Sequence, residues 1–397
     1  MKKLLLIIII FNSLFCYSQE IDWNQGDIEQ KKYFEKIPFE GTFGTFYVKV
    51  SINGKLYNFL FDTGAPFAVT EKLFKELNLE SKKNTNIIDG TGSITAMKFV
   101  QVPKIELQGL VFLNSTGLVL PKSAEEMLGC YNIEGIIGSN MLRNSVVQFD
   151  YENREIIITD NAKNLDLKNA TNQKIKLDGQ SNPILTVKLI NNNNIATDDN
   201  TLLDSGFNGF YEIQTNTYKN LESKTNISKK IAESEGFSSW GVSGSQILIK
   251  KTVSIVPNIS IANHKFDNVV INTTNFANSL IGGKIFEFGK ITLDYSKKKL
   301  YFESYPNTNT EAVSKTNWSI QFTVKNQKII VGTIWDKSLE SQVNIGDEIV
   351  SADGLNYTSL TFCELIKIKR DYDKPSVIVE LKDIKTGELK KIEIKRI

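Results

Sequence analysis

One histidine and three cysteines in 397 residues leave little room for most hydrolytic chemistry. A Ser-His-Asp or Cys-His site would have to use His264, which stands in the polar turn Asn263-His264-Lys265 and reads as a surface residue. Cysteine and histidine at zinc-binding spacings are missing too, so neither a metal nor a cofactor is expected. Cys16 falls in the N-terminal apolar stretch, and the other two, Cys130 and Cys363, fall in different expected domains. That excludes a disulfide framework and leaves the fold to stand on its core. An excess of charge of either sign is also lacking, with 47 Lys and Arg against 45 Asp and Glu, a formal net charge of +2. Without Lys2 and Lys3 the balance is close to zero, and no long basic run appears, so nucleic acid and anionic membrane are excluded as expected partners.

Long apolar runs are scarce as well. Leu4 to Phe15 is almost wholly apolar, follows Lys2 and Lys3, and precedes the small Ser18, the pattern of a secretory signal peptide over residues 1–18. It is short for a bilayer span and nothing later is longer, so no transmembrane segment is expected in a mature chain beginning near Gln19. A secreted or periplasmic location follows as an expectation.

What the chain does have is an ordinary globular composition, 41% hydrophobic and 23% charged, and a length suited to two or three domains. It also has a repeat. Phe59-Leu60-Phe61-Asp62-Thr63-Gly64-Ala65 returns in altered form as Leu202-Leu203-Asp204-Ser205-Gly206. In each copy an apolar run, readable as a buried strand, ends in a carboxylate, a small hydroxyl residue and a glycine. The surroundings match. Tyr47 to Ile52 alternates into the Asn53-Gly54 turn, a hairpin signal, and Ile184 to Ile190 runs into Asn191 to Asn194. Gly135-Ile136-Ile137-Gly138 follows the first copy and Leu280-Ile281-Gly282-Gly283 the second, with Asp150-Tyr151 and Asp294-Tyr295 each 12 residues beyond the aligned glycine. Asp62 to Gly138 spans 76 residues and Asp204 to Gly282 spans 78, so the chain contains an internal duplication.

This pattern resembles that of the two-lobed aspartic proteases, and Ala65 after Gly64 brings the first copy closest to the retroviral type. The resemblance covers roughly residues 40–305. It implies an all-β fold of two β-barrel lobes, 40–160 and 175–305, joined by the polar stretch Asp160 to Gln180. Residues 20–40 are polar and read as a lead-in, and the one helical stretch read in the first lobe runs from Glu71 to Leu79 behind Thr70 as N-cap. The resemblance further implies that Asp62 and Asp204 are the catalytic pair. Thr63 and Ser205 would then bond across to the opposite loop, Gly64 and Gly206 would bring backbone N–H groups to the carboxylates, and Ala65 would withhold one donor from the first of them. A loop carrying Gly90, Thr91, Gly92 and Ser93 matches the flap that closes over substrate, without the tyrosine of the pepsin pattern. In the second lobe Phe207-Asn208 departs from the small hydroxyl residue common after the motif, placing a ring beside the site.

From about Lys315 the pattern changes. Lys328 to Ile334 is a strand, Asn344-Ile345-Gly346-Asp347-Glu348-Ile349-Val350 and Ala352-Asp353-Gly354 follow, and Ser359 to Lys369 is helical, with strands from Ser376 to Leu381 and Leu389 to Ile394. The run resembles a PDZ domain, a small β-sandwich with a groove helix, over 315–397. Ser319, Ile320, Gln321 and Phe322 fall where such domains take a peptide carboxylate, though without the glycine-rich form of that loop.

Two like charges a few ångströms apart cannot both ionise, so paired carboxylates supply an acid and a base from identical side chains; the aspartic proteases are the standing example of this split. The expected activity is that of a monomeric aspartic endopeptidase acting on peptide or protein, since the duplication assembles both carboxylates in one chain, with a peptide as possible ligand of the PDZ-like unit. The alternative is a catalytically silent scaffold that binds peptide in the same cleft and in the PDZ groove.

Overall fold

The computed structural model describes residues 22–397 apart from 42–43, 90–91, 240, 242, 245, 307, 309–312, 314 and 369–373. The expected signal peptide, and Gly90 and Thr91 of the expected flap, lie outside the described residues. The fold is mostly strand, with two six-stranded β-barrels, and is that of a two-lobed aspartic protease. Among the described residues no helix is long and apolar enough to cross a membrane.

Each barrel is wound on the apolar run that ends in its aspartate. In the first lobe Lys55–Asp62 pairs with Tyr47–Ile52 through a tight hairpin, whose Asn53 and Gly54 take φ of 52° and 77°, as a two-residue turn of right-handed twist requires. The same strand pairs in parallel with Ile133–Gly138, Asp62 opposite Gly138. The second lobe repeats this: Ala196–Asp204 pairs with Pro183–Ile190 on one side and in parallel with Ser279–Gly282 on the other, Asp204 opposite Gly282. The matched spacing in the sequence is therefore a matched register in space.

The lobes share one sheet. Val146–Asp150 and Gly289–Asp294 pair antiparallel across the pseudo-twofold, Val146 opposite Asp294, and outer strands extend the sheet to six. One outer strand is Phe34–Pro38, on the Glu155–Thr159 edge, so part of the expected lead-in is structural. Above the sheet lies a knot of rings, Phe46, Phe149 and Phe286, with centroids 4.4–5.1 Å apart, in a core continuous through both lobes. Each fully buried phenylalanine contributes about 1.5–3 kcal/mol. His264 is no surface residue: it sits half-buried in the strand His264–Thr274, its ring 4.8 Å from those of Phe266 and Phe302, and burial pushes its pKa down.

Among the described residues five α-helices punctuate the strands: α1 Glu71–Glu76, α2 Lys122–Gly129, α3 Ser139–Leu142, α4 Thr215–Thr225 and α5 Phe362–Lys367. Thr70 caps α1 through its hydroxyl, which accepts from the Leu73 N–H. The third unit has its own core, with Ile320, Val331, Leu365, Val379 and Ile394 among its buried residues. Its strands Lys328–Ile334, Ser376–Lys382 and Leu389–Lys395 lie where the sequence placed them, and its helix is shorter, α5, closed by a capping box between Thr361 and Glu364. The Gly346-Asp347 turn is built on a buried carboxylate, which accepts from the N–H groups of Asn344 and Ile384.

The expectation for the cysteines fails. Cys130, after α2, and Cys363, in α5, are joined by a disulfide across 233 residues, tying the first lobe to the third unit. The two cysteines, far apart in the chain, meet where α2 and α5 pack.

Candidate active site

The two aspartate loops meet at the floor of the cleft between the lobes, and four hydrogen bonds fix them to one another. Thr63 Oγ1 donates to the Leu203 carbonyl at 2.6 Å and accepts from the Ser205 N–H at 3.0 Å. Ser205 Oγ donates to the Phe61 carbonyl at 2.8 Å and accepts from the Thr63 N–H at 3.0 Å. Each hydroxyl thus satisfies two backbone groups that would otherwise be buried unpaired, one on each side of the loop it grips. Both residues are fully buried.

That grip brings the carboxylates together. Asp62 and Asp204 lie close together, each carboxyl against the glycine of the opposite loop. Burial raises the pKa of Asp62 far above the ordinary range, and the neighbouring Asp204 charge pushes it further. Burial raises Asp204 as well, while the N–H groups of Gly206 at 2.9 Å and Phe207 at 3.1 Å favour its charged form. Asp62 receives the Gly64 N–H at 2.8 Å. The glycines are there for close approach. A Cβ on Gly64 would lie 2.5 Å from the Asp204 carboxyl carbon, and one on Gly206 would lie 2.3 Å from Asp62 Oδ2.

Behind the first loop stands a support built on Ser139. Ser139 Oγ donates to the Thr63 carbonyl at 2.8 Å and meets the Tyr295 hydroxyl at 3.0 Å. The matching position in the second lobe is Gly283, packed on the Gly44 backbone so closely that a Cβ would sit 1.8 Å from the Gly44 oxygen. Asn140 adds to the first side, accepting from the Phe67 N–H and donating to the carbonyls of Trp23 and Thr116. Nothing in the run Gly138-Ser139-Asn140 shows where its side chains turn, so the part played by Ser139 and Asn140 is visible only in the fold.

The cleft above the pair encloses about 590 Å³. Its first-lobe wall is apolar, with Leu60, Ala68, Met97, Leu120 and Ile136; its second-lobe wall includes Asn208, Asn278 and Gln180 beside Phe207 and Phe276. Ala65, opposite, leaves the space before the first loop open. The Phe207 ring is folded against Gly209, where a Cβ would be 2.2 Å from its tip, and against Gly282. It lines the cleft together with the carboxylates.

Of the expected flap, Gly92 and Ser93 are described: the Gly92 N–H donates to the Asp89 carbonyl and the Ser93 N–H to Asp89 Oδ1, closing the tip of the hairpin Ser81–Ile88/Ile94–Leu107. The four residues expected in a PDZ groove are spread over different surroundings. Ser319 is buried and bonded to the Lys395 backbone, Ile320 is in the core, Gln321 faces Lys251 of the second lobe, and Phe322 is half-buried.

With that geometry in place, comparison with protein families matches residues 48–141, the first lobe from its opening hairpin to α3, to the family described as aspartyl protease. No curated protein matches the chain. A family match over the first aspartate loop and a fold of two such barrels support a protease, similar to the aspartyl proteases in its first lobe and built on their two-lobed plan.

Proposed function

We propose that the protein is an aspartic endopeptidase whose catalytic pair is Asp62 and Asp204. The observation that carries this is the reciprocal grip of Thr63 and Ser205, which holds the two carboxyls close together at the floor of the cleft. Such a pair serves as base and acid in one step. The ionised carboxylate takes a proton from water as its oxygen bonds to the peptide carbonyl carbon, and the protonated partner gives its proton to the carbonyl oxygen. Breakdown of the tetrahedral intermediate then breaks the C–N bond and sends a proton to the leaving amine. The pair titrates as a unit, so neither residue alone is the acid.

Ala65, which offers the first carboxylate no side-chain hydroxyl, supports activity at less acidic pH than in a pepsin-like enzyme, because a carboxylate with one donor fewer keeps its proton to higher pH. The apolar first-lobe wall supports a substrate with a large apolar side chain on one side of the scissile bond. A secreted or periplasmic protein fits the N-terminal signal-like stretch, and the third unit, with a PDZ-like order of strands and helix, serves in peptide recognition or regulation.

The test is cleavage of a diverse peptide library by the chain from residue 19 onward, between about pH 3 and 8, beside Asp62→Asn and Asp204→Asn. Cleavage lost in both variants, with folding intact, is the expected result. A folded wild-type chain that binds library peptides but cuts none at any pH would replace this reading with that of a binding scaffold.

A further inference from the structure

The second lobe carries a hairpin, Lys229–Phe237/Leu248–Ile261, that is the pseudo-symmetric partner of the first flap. Its far end crosses the cleft. The Ser243 N–H donates to Asp89 Oδ2 at 3.2 Å, and Gly244 lies against Ser123 of α2, where a Cβ would be 2.8 Å from that side chain. Ser239 and Gly241 line the cleft with Asp89. Asp89 and Ser243 therefore join the two hairpins across the cleft.

The third unit grips that second hairpin along its length. Gly236 pairs with Thr333, and only a glycine fits, since a Cβ would lie 2.0 Å from Thr333 Oγ1. Gln246 Nε2 donates to Thr323 Oγ1 at 2.8 Å, Lys251 Nζ to Gln321 Oε1 at 3.4 Å, and the Lys325 ammonium stands 4.1 Å from the centre of the Phe237 ring. Its other arm holds the opposite wall. Cys363 is bonded to Cys130, the Tyr131 hydroxyl donates to the Ile366 carbonyl, and Lys367 lies over the Tyr131 ring. Met127, Leu128 and Tyr131, beside Cys130, line the cleft itself.

We propose that the third unit is a clamp on the cleft: it holds the second hairpin against the first flap, the Cys130–Cys363 disulfide is its catch, and the closed tips admit only an extended, unfolded peptide segment threaded beneath them. A thin chain passes under joined tips; a looped or folded segment does not. A dithiol reductant releases the catch by thiol–disulfide exchange. Its two thiols become a disulfide, the S–S bond of Cys130 and Cys363 breaks, and two electrons and two protons leave both as thiols. The part about admitted substrates rests on the protease reading, whereas the part about the hairpin does not.

The experiment has two arms on the full chain. Hydrogen exchange is followed in the intact protein, in the protein treated with dithiothreitol, in the double variant Cys130→Ser/Cys363→Ser, and in Asp89→Ala, which frees the tip without touching a cysteine. The tip of the second hairpin, Ser243 included, is expected to exchange at least about tenfold faster in all three altered forms, while Thr63 and Ser205 stay protected. Unchanged exchange at the tip on loss of the disulfide overturns the clamp, whether or not any peptide is cut. The second arm compares a linear peptide that the library shows to be cut with its head-to-tail cyclic form. The cyclic-to-linear ratio of kcat/KM is expected to rise by about tenfold on release. An unchanged ratio with a loosened tip overturns the threading restriction, and no cleavage of the linear peptide by any form counts against the protease reading while the exchange arm still decides the clamp.

Discussion

The two aspartate loops are equal where they grip and unequal everywhere around it. Thr63 and Ser205 make the same pair of bonds in opposite directions, at distances of 2.6–3.0 Å. Yet Asp204 accepts from the N–H groups of Gly206 and Phe207, whereas Asp62 accepts from that of Gly64. Ser139 and Tyr295 brace the first loop, and bare glycine backbone stands behind the second. The symmetric part positions two carboxyls, and the asymmetric part gives them different surroundings.

The largest effect should ignore the asymmetry. If one proton is shared, Asp62→Asn and Asp204→Asn each remove the acid–base pair, and kcat should fall by about 10³-fold or more in both. Peptide-cleavage kinetics on the two variants would show this, and substantial activity in either would break the equivalence of the loops. The grip should be nearly as even-handed. Thr63→Val and Ser205→Ala each strip a buried N–H of its acceptor and should cost about 1–3 kcal/mol in denaturant unfolding. A large cost in one alone would mean that one lobe carries the register of both.

How much of this the sequence shows depends on whether the signal is local. The strands ending in Asp62 and Asp204, their glycine partners at Gly138 and Gly282, and the Asn53-Gly54 turn are each carried by neighbouring residues, and duplication lets one copy check the other. Strand order in the third unit is legible for the same reason. The Cys130–Cys363 bond is not, because it records how two units dock, which no periodicity within either unit reports. Helix α2 escaped because its apolar residues, Ala124, Met127 and Leu128, fill barely two turns. The strand Phe34–Pro38 hid in a charged stretch, being an edge strand with a single buried residue, Ile37. His264 looked exposed between two polar neighbours, but in a strand alternate residues face opposite ways.

Stability against pH separates the two carboxyls. A raised folded-state pKa means the folded protein binds the proton more tightly than the unfolded chain. That stabilisation is fully present below the unfolded value, about 3.9 for an aspartate, and is lost as pH rises through the raised value. Near neutral pH the wild type therefore carries the cost of a crowded, buried charge. Asparagine does not ionise, so Asp62→Asn and Asp204→Asn should both raise Tm by a few degrees at pH about 7, with the gain shrinking toward pH about 3. Asp62→Asn should gain more, because it leaves the remaining charge on Asp204, where two backbone donors receive it. Equal gains in thermal unfolding would erase the distinction drawn between the loops.

The smallest effect probes the brace. Ser139 Oγ reaches the Thr63 carbonyl and the Tyr295 hydroxyl in one short chain, both ends buried, and burial pushes the Tyr295 phenol well above its ordinary range so that it stays protonated and able to donate. Tyr295→Phe removes the far member and leaves Ser139 on Thr63; Ser139→Ala removes both contacts and leaves the Tyr295 hydroxyl without its partner. The serine change should therefore cost about 1 kcal/mol more than the tyrosine change, the ordinary net value of one buried hydrogen bond. If the brace acts only on packing, both variants lose stability and keep the wild-type pH–rate profile. If it sets the position of the Asp62 loop, Ser139→Ala shifts the limb of the kcat profile that reports the shared proton, while an equally destabilising change in the third-unit core, such as Val379→Ala, leaves that limb in place.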